Sequence, residues 1–224
     1  MAGSLALIHG NRRGLPRGRS SLPRERVLAA QERRLRRAMI ALTADKGYGA
    51  VTITDVVRAA RVSPNVFYEH FASKEACFLT AAQGGRDVMF DRIAQAAAAL
   101  PDDAPAAQRL RVSVRAYLRF LADEPEFARV FLIDVLCAGP AVLEQFVDAQ
   151  RRFAAATRAW HRRARREGAP WPELPDDAFE GIVGALHHLV VSRVREGRFS
   201  ELTALEEPAL QIHLAICSGW PARS

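Results

Sequence analysis

The chain has 224 residues, 49% of them hydrophobic and 25% charged, which is ordinary for a globular protein and long enough for one large domain or two smaller ones. No apolar run approaches the roughly 18 residues that a membrane span needs, and the N-terminus lacks the basic and apolar regions of a secretory signal. We therefore expect a cytoplasmic protein, and its formal net charge of +7 favours an anionic partner.

The excess positive charge lies in the N-terminal third of the chain. Residues 1–76 contain 14 basic and 6 acidic residues, whereas the rest of the chain contains 18 basic and 19 acidic residues. Thirty of the 32 basic residues are arginine, whose guanidinium group binds phosphates and guanine edges through paired hydrogen bonds. This distribution indicates an anionic polymer as the partner of the N-terminal region.

The first segment of the chain shows no helical periodicity. Residues 1–22 are rich in Gly, Ser, Pro and Arg, a composition that predicts a disordered basic arm. A helical pattern starts at about Arg24 and stops at Gly47, with Lys46 in its last turn. The apolar face of this first helix consists of Leu28, Leu35, Met39 and Leu42.

A second helix follows after a short connection. Thr52 predicts its cap, with Asp55 three residues later as the partner in a capping box. The helix ends near Arg61, and residues 62–63 form a tight turn. Two helices joined by so short a turn are typical of a helix-turn-helix unit.

The third helix is short and rich in aromatic residues. It starts at Pro64, where the missing N–H costs nothing, and lasts about two turns to Phe71. Phe67 and Phe71 are four residues apart and are predicted to face the core together. Tyr68 and His70 lie off that line, so either they face outward or Tyr68 is a half-buried core residue.

The rest of the chain is predicted to be helical, and no β-alternation or hairpin turn interrupts it. The predicted helices cover about residues 73–98, 106–122, 126–136, 141–167, 176–196 and 205–218. Thr203 has the character of a cap for the last helix, although Pro208 would then lie too deep inside that helix.

Residues with chemical reactivity show no organised pattern. Cys77, Cys137 and Cys217 are far apart, so free buried thiols are favoured over a redox sensor or a zinc site. His187 and His188 are adjacent on a helix and cannot easily share a metal ion. We expect no metal and no cofactor, and the absence of a nucleophile elbow or phosphate loop argues against an enzyme.

The segment from Arg26 to Glu75 resembles the DNA-binding domain of the TetR family of bacterial transcription regulators. The residues that carry the resemblance are ADKGYGAVTITDVV and RAARVSPNVFYEHFASKE. The resemblance implies an all-α protein with a three-helix helix-turn-helix domain at 23–76 and a helical ligand-binding and dimerisation domain at 77–224. Beyond the first third, only the chain length and the helical pattern match.

The resemblance also implies which residues contact DNA. Tyr68, His70, Lys74 and Thr54 would reach phosphates, while the residues at and after the turn would enter the major groove. The full set of implied DNA-binding residues is Thr52, Thr54, Ser63, Pro64, Asn65, Val66, Tyr68, His70 and Lys74. The sequence departs from the family pattern in three places. Arg61 replaces a usual glycine and is strained if its φ is positive, Thr43 replaces a common phenylalanine, and Pro64 and Val66 replace commoner polar residues.

The C-terminal part offers weaker predictions. Its aromatic residues are either core or the lining of a ligand pocket, and Arg115 is a further possible anchor for a ligand. The candidate ligand-binding residues are Phe78, Met89, Tyr117, Phe120, Phe131 and His187. The last two helices usually form the dimer interface of this family, or they could pack within one chain. The candidate dimer residues are Gly181, Ile182, Gly184, Ala185, Leu189, Leu210 and Leu214.

The resemblance implies a dimeric repressor that a small apolar or amphipathic effector releases from a two-fold symmetric operator in double-stranded DNA. The alternative is an architectural DNA-binding protein with little sequence preference. Gly84 and Gly85 fall inside the fourth helix, where a glycine pair permits a kink. The pair is either a hinge that transmits ligand binding or a place of close packing.

Overall fold

The fold of this protein is built from helices alone in the described residues. The computed structural model describes residues 23–220, except for the side chains of residues 136 and 137. The predicted arm at residues 1–22 lies outside the described residues. This all-helical architecture confirms the predicted fold class. The α-helices of the described range are α1 (Arg24–Lys46), α2 (Ile53–Ala60), α3 (Pro64–His70), α4 (Lys74–Ala98), α5 (Ala106–Asp123), α6 (Pro125–Leu132), α7 (Pro140–Arg166), α8 (Asp176–Arg195) and α9 (Glu206–Gly219).

The chain divides into two compact units. The first unit consists of the part of the chain up to Arg86 together with Asp123–Leu143, and the second consists of Asp87–Ala122 together with the part from Glu144 onward. Short 3-10 helices occur at Tyr48–Ala50 and Asp134–Cys137 in the first unit and at Phe199–Leu205 in the second.

The first unit is organised around α1, which packs against α2 and α6. Leu35 and Met39 are fully buried on its inner face, as the helical pattern predicts. Thr43 is also fully buried, and its hydroxyl lies 3.9 Å from the sulfur of Met39, so this residue belongs to the core. The helix ends at Gly47, whose φ of 81° and N–H bond to the Thr43 carbonyl form its C-terminal cap.

A capping box fixes the start of α2, as predicted. The Thr52 hydroxyl accepts from the Asp55 N–H, and the Asp55 carboxylate accepts from the Thr52 N–H at 3.0 Å. Lys46, at the end of α1, donates to the same carboxylate at 2.7 Å. The hydrogen bonds from Lys46 and Thr52 hold the pKa of the Asp55 carboxyl well below its usual range. This ionised group therefore ties α1 to the start of α2.

The C-terminal cap of α2 is unusual. Arg61 adopts a left-handed conformation, with φ of 55° and ψ of 49°. It is the single residue other than glycine with a positive φ between residues 23 and 220. The Cβ atom of an L-residue is crowded in this conformation. Arg61, at a position where the resemblance implies glycine, is therefore strained.

Replacing Arg61 with glycine is expected to raise the free energy of unfolding by about 1 kcal/mol, because glycine adopts the left-handed conformation without strain. Denaturant unfolding of the native protein and the variant measures the change. Arg58→Gly is the matched control, since Arg58 lies in the last turn of α2, where glycine is expected to cost about 1 kcal/mol. Equal effects of the two substitutions would contradict the strain at Arg61.

The last helix starts within one residue of the predicted position, but Thr203 does not cap it. Thr203 lies in the preceding 3-10 helix and does not cap α9, which begins at Glu206. Pro208 is thus the third residue of α9, within the first turn. Its missing N–H is harmless there, because N–H groups of the first turn have no partner within the helix.

None of the helices between residues 23 and 220 is long and apolar enough to cross a membrane. No group of three or more His, Cys, Asp or Glu side chains in that range is placed to hold a metal ion.

Candidate functional site

The short helix α3 separates an apolar inner face from a polar outer face. The Ser63 hydroxyl accepts from the Val66 N–H at 3.4 Å, and Pro64 occupies the first helical position. Phe67 is fully buried and Phe71 is 5% exposed, and their ring centroids lie 5.8 Å apart. This confirms the predicted core pair and fixes the side of α3 that remains exposed.

The outer face of α3 carries most of the predicted DNA-contacting residues. Tyr68 is 59% exposed, far more than the other aromatic side chains of the first unit. Its ring packs edge-on against Phe67, with centroids 5.5 Å apart, so the hydroxyl is held away from the core. Ser63, Pro64 and Asn65 are also exposed, and Val66 is half-buried.

Two other predicted contact residues, His70 and Thr52, have structural partners. The imidazole Nε2 of His70 lies 3.5 Å from the side-chain oxygen of Gln31 in α1. Thr52 is exposed but serves as the α2 cap, while Thr54 is exposed beside it. The contact between His70 and Gln31 ties the end of α3 to α1.

Lys74 has a role that the sequence did not indicate. Its ammonium donates to the carbonyls of Tyr48 and Val51, each at 3.0 Å, and lies 4.2 Å from the centre of the Tyr48 ring. An ammonium has three donors, so one remains for a phosphate oxygen. The main structural role of Lys74 is therefore to stabilise the connection between α1 and α2.

The second unit encloses a cavity of about 340 Å³. This volume lies within the range of small-molecule sites. Side chains from α4, α5, α7, α8 and α9 line it, so it lies between helices of one unit. Its main apolar lining residues are Ile93, Leu110, Val114, Phe153, Trp160, Val183 and Leu186.

The cavity contains only part of the predicted ligand set. Tyr117 and His187 line it, as proposed from the sequence. Four predicted residues do not line it and belong to the core instead, namely Phe78, Met89, Phe120 and Phe131. Arg115 is also not in the lining, because its guanidinium pairs with the Glu206 carboxylate at 2.8 Å. Buried aromatics in core and cavity have the same sequence pattern, so the sequence does not separate the two groups.

Neutral polar groups complete the cavity wall. His213, which the sequence did not single out, is buried, and its Nδ1 lies 2.7 Å from the Ala209 carbonyl. Burial lowers the pKa of His213 and, together with the neighbouring His188, that of His187. Both rings are therefore neutral at pH 7. Burial also raises the pKa of the Tyr117 hydroxyl, which stays protonated.

Two arginines place positive charge at the wall of the cavity. Arg109 and Arg163 line it, and both pair with the carboxylate of Glu167. Arg109 is 8% exposed and also donates to the carbonyl of Ala104. Neither arginine was a predicted ligand residue. Arg163 lies three residues after Trp160, on the same face of its predicted helix, whereas the sequence contains no comparable signal for Arg109.

The predicted dimer residues differ in how far their side chains are exposed. Gly181 and Gly184 lie on the outside of α8, and an added Cβ would meet no atom within 4 Å at either position. Ala185, Leu189 and Leu214 are half-buried. Ile182 and Leu210, in contrast, are buried within the chain at 0% and 2% exposure. The dimer stays a prediction, and these two side chains pack inside the chain.

Comparison with known proteins is strongest for the N-terminal region. Residues 35–81 match the family model of the bacterial regulatory proteins, tetR family. The HTH-type transcriptional activator FasR of Mycolicibacterium smegmatis is 29% identical over 136 residues, which are 61% of this chain. The matched segment spans 57% of that relative, little more than half of its length.

Solved structures with the same fold cover more of the chain. The fatty acid degradation regulator FadR from Bacillus halodurans is 20% identical, with a TM-score of 0.73 over 86% of this chain and 97% of its own. The transcriptional regulator FadR from Bacillus subtilis, in complex with stearoyl-CoA, is 15% identical, with a TM-score of 0.70 over 84% of this chain and 98% of its own. At these identities the likeness shows the fold.

Proposed function

We propose that this chain, whose residues 35–81 match the tetR family model, is a homodimeric TetR-type transcriptional regulator that a small amphipathic effector releases from a two-fold symmetric operator. The observation that carries the proposal is the outer face of α3. There a 59% exposed tyrosine stands above a fully buried phenylalanine on a short helix of a helix-turn-helix unit.

Two groups of residues have different roles in the proposed DNA binding. One group contacts phosphates and fixes the position of α3, and the other contacts base edges. The Tyr68 hydroxyl, the His70 ring and the remaining N–H of Lys74 are donors suited to phosphate oxygens, which fix the position of α3 on the duplex. Asn65 lies on the same exposed face and can donate to and accept from a base edge. We infer that Asn65 and its neighbours supply the sequence preference.

Dimerisation follows from the geometry of such readers. One chain carries one recognition helix, whereas an operator of two half-sites needs two, about one DNA turn apart. The exposed glycines Gly181 and Gly184 allow another helix to approach α8 closely. We infer that α8, with Leu214 of α9 beside it, forms the interface with a second copy.

The cavity is proposed as the effector site. Its apolar walls suit an acyl chain, and its volume of about 340 Å³ is already open in the second unit. The Bacillus subtilis regulator of similar fold was solved with stearoyl-CoA, which has such a chain. We propose a fatty acyl compound as the effector. A ligand that binds the DNA-free state better must lower DNA affinity by the same coupling energy, typically 1–3 kcal/mol.

An architectural DNA-binding protein remains the second candidate. The positive charge of the N-terminal third favours it, because phosphate contacts alone give binding without sequence preference. The cavity does not favour it, since an architectural protein needs no site for a small molecule.

Selection from random duplex DNA by the full-length protein tests the proposal. We expect a two-fold symmetric motif from the native protein, and about ten-fold weaker binding of that motif by Tyr68→Ala, because a hydrogen bond to a charged phosphate is lost. Tyr68→Phe is the matched variant, which removes only the hydroxyl and should lose most of the same affinity.

Binding without a recovered motif, and with Tyr68→Ala equal to the native protein, would favour the architectural candidate. The salt dependence of binding gives an independent measure. Because the Tyr68 hydroxyl is neutral, Tyr68→Ala should leave the slope of log affinity against log salt nearly unchanged, whereas loss of the Lys74 ammonium should reduce that slope by about one.

A further inference from the structure

One carboxylate bridges two arginines at the wall of the cavity. The Glu167 carboxylate accepts from Arg109 through one oxygen and from Arg163 through the other, the latter at 2.8 Å. Both arginines line the cavity, but Glu167 does not. These three groups together carry one excess positive charge.

Arg109 has more donors than this arrangement uses. Its side chain is 10% exposed, and its Nη atoms bond Glu167 and the carbonyls of Asp102 and Ala104. Its Nε–H is buried and has no hydrogen-bond partner among the described residues. A buried donor of a charged group without an acceptor is unfavourable, so the site is incomplete toward a negatively charged or accepting group.

The position of Glu167 allows its carboxylate to separate from Arg109 and Arg163. It directly follows the last residue of α7, precedes Gly168 with φ of 97°, and its side chain is 40% exposed. Hydrogen bonds from Arg163 and Arg109 lower its pKa, so it is ionised at neutral pH. The ion pair of Glu167 with Arg163 is exposed at both ends and contributes little net free energy. The Arg109 guanidinium is only 10% exposed and favours an anion at this position, whether from Glu167 or from a ligand.

We propose that Glu167 is an internal counter-ion that holds the place of the effector's anionic head group, and that an anion at the end of an acyl chain displaces it from Arg109 and Arg163. The inference rests on the proposed function, since it assigns the head-group end of the same effector site. It makes the arginine pair a specificity filter for anionic amphiphiles.

The competition between the two anions is decided by the acyl chain. A ligand whose chain occupies the apolar cavity presents its anion to the arginines at a high effective concentration. Exchange of one carboxylate for another leaves the charges of the cluster balanced as before. A neutral amphiphile gains the same apolar burial but cannot replace Glu167, so the two ligand types respond differently to changes at position 167.

Calorimetric titration of the full-length protein with dodecanoate and with dodecan-1-ol, both below their aggregation limits, tests the inference. Glu167→Gln is expected to tighten dodecanoate binding by about five-fold, because a competing ion pair is removed, and to leave dodecan-1-ol binding unchanged. Arg163→Gln is expected to weaken dodecanoate by about ten-fold and to leave the alcohol unchanged.

Two further measurements complete the design. Glu201→Gln is the matched control, because Glu201 pairs with Arg198 in the same unit but does not line the cavity. It should change neither affinity. Dodecanoyl-coenzyme A distinguishes the source of the anion, since its terminal charges are phosphates. If Glu167→Gln changes the affinity for this thioester but not for dodecanoate, the anionic group that replaces Glu167 is a phosphate rather than a carboxylate.

The outcomes separate the inference from the proposed function. If both ligands bind and Glu167→Gln changes their affinities in parallel, Glu167 has only a structural role and the inference is overturned, while the acyl effector stands. If none of the three ligands binds the native protein, the acyl effector and the inference both fail. The DNA selection described above is unaffected by either result.

Discussion

Replacing Gly85 with alanine is expected to lower the free energy of unfolding by about 1–3 kcal/mol, as overpacking of a filled core does. An added Cβ would lie 2.2 Å and 2.5 Å from two atoms of the Phe127 ring. Phe127 is 1% exposed and stacks on Phe131, with centroids 5.4 Å apart, so the ring has little room to move. Denaturant unfolding measures the loss.

Gly84→Ala is the matched control on the same helix. Its Cβ would meet only the guanidinium of Arg36, at 3.3 Å, and the flexible end of that side chain can shift. Alanine should then stabilise the helix by up to about 1 kcal/mol. In the Gly85→Ala background, Phe127→Leu is expected to recover part of the lost stability. Additive effects of the Gly85 and Phe127 substitutions would contradict the steric explanation.

These variants also address the hinge hypothesis for Gly84 and Gly85. Helix α4 is continuous through both residues, and close packing accounts for the glycine at position 85. Gly84 has no such requirement, so Gly84→Ala tests the hinge without a large loss of stability. Unchanged DNA affinity and unchanged effector response in this variant would count against a hinge.

Filling the cavity is expected to abolish the effector response while preserving DNA binding. Ser113 lines the cavity from α5 and is half-buried. A tryptophan at this position would occupy space that the ligand needs, and we expect dodecanoate affinity to fall by at least about 100-fold, or roughly 2.7 kcal/mol. Operator affinity measured without ligand should stay within about two-fold of the native value.

Ala107→Trp is the matched control for Ser113→Trp, because Ala107 is exposed on the same helix and does not line the cavity. Operator release by dodecanoate should persist in this control and disappear in Ser113→Trp. Retained release in both variants would place the effector outside the cavity of the second unit.

Local chemistry was enough to predict the helix-turn-helix unit. Thr52 with Asp55, and Ser63 with Pro64, signal helix starts through groups only three residues apart, and the structure contains both caps. The alternation of buried Phe67 with exposed Tyr68 follows from helical periodicity in the same way. Thr203 gave a similar local signal for the last helix but is not its cap, because it lies in the preceding 3-10 helix and α9 starts at Glu206.

The cavity depended on the tertiary structure. Its walls combine residues more than 100 positions apart, such as Ile93 and His213, and no local signal separates a cavity aromatic like Phe153 from a core aromatic like Phe120. The same holds for Glu167, which meets Arg109 across 58 positions. Sequence periodicity determined which side of each helix is buried. Only packing between distant helices decided which of those buried faces enclose an open volume.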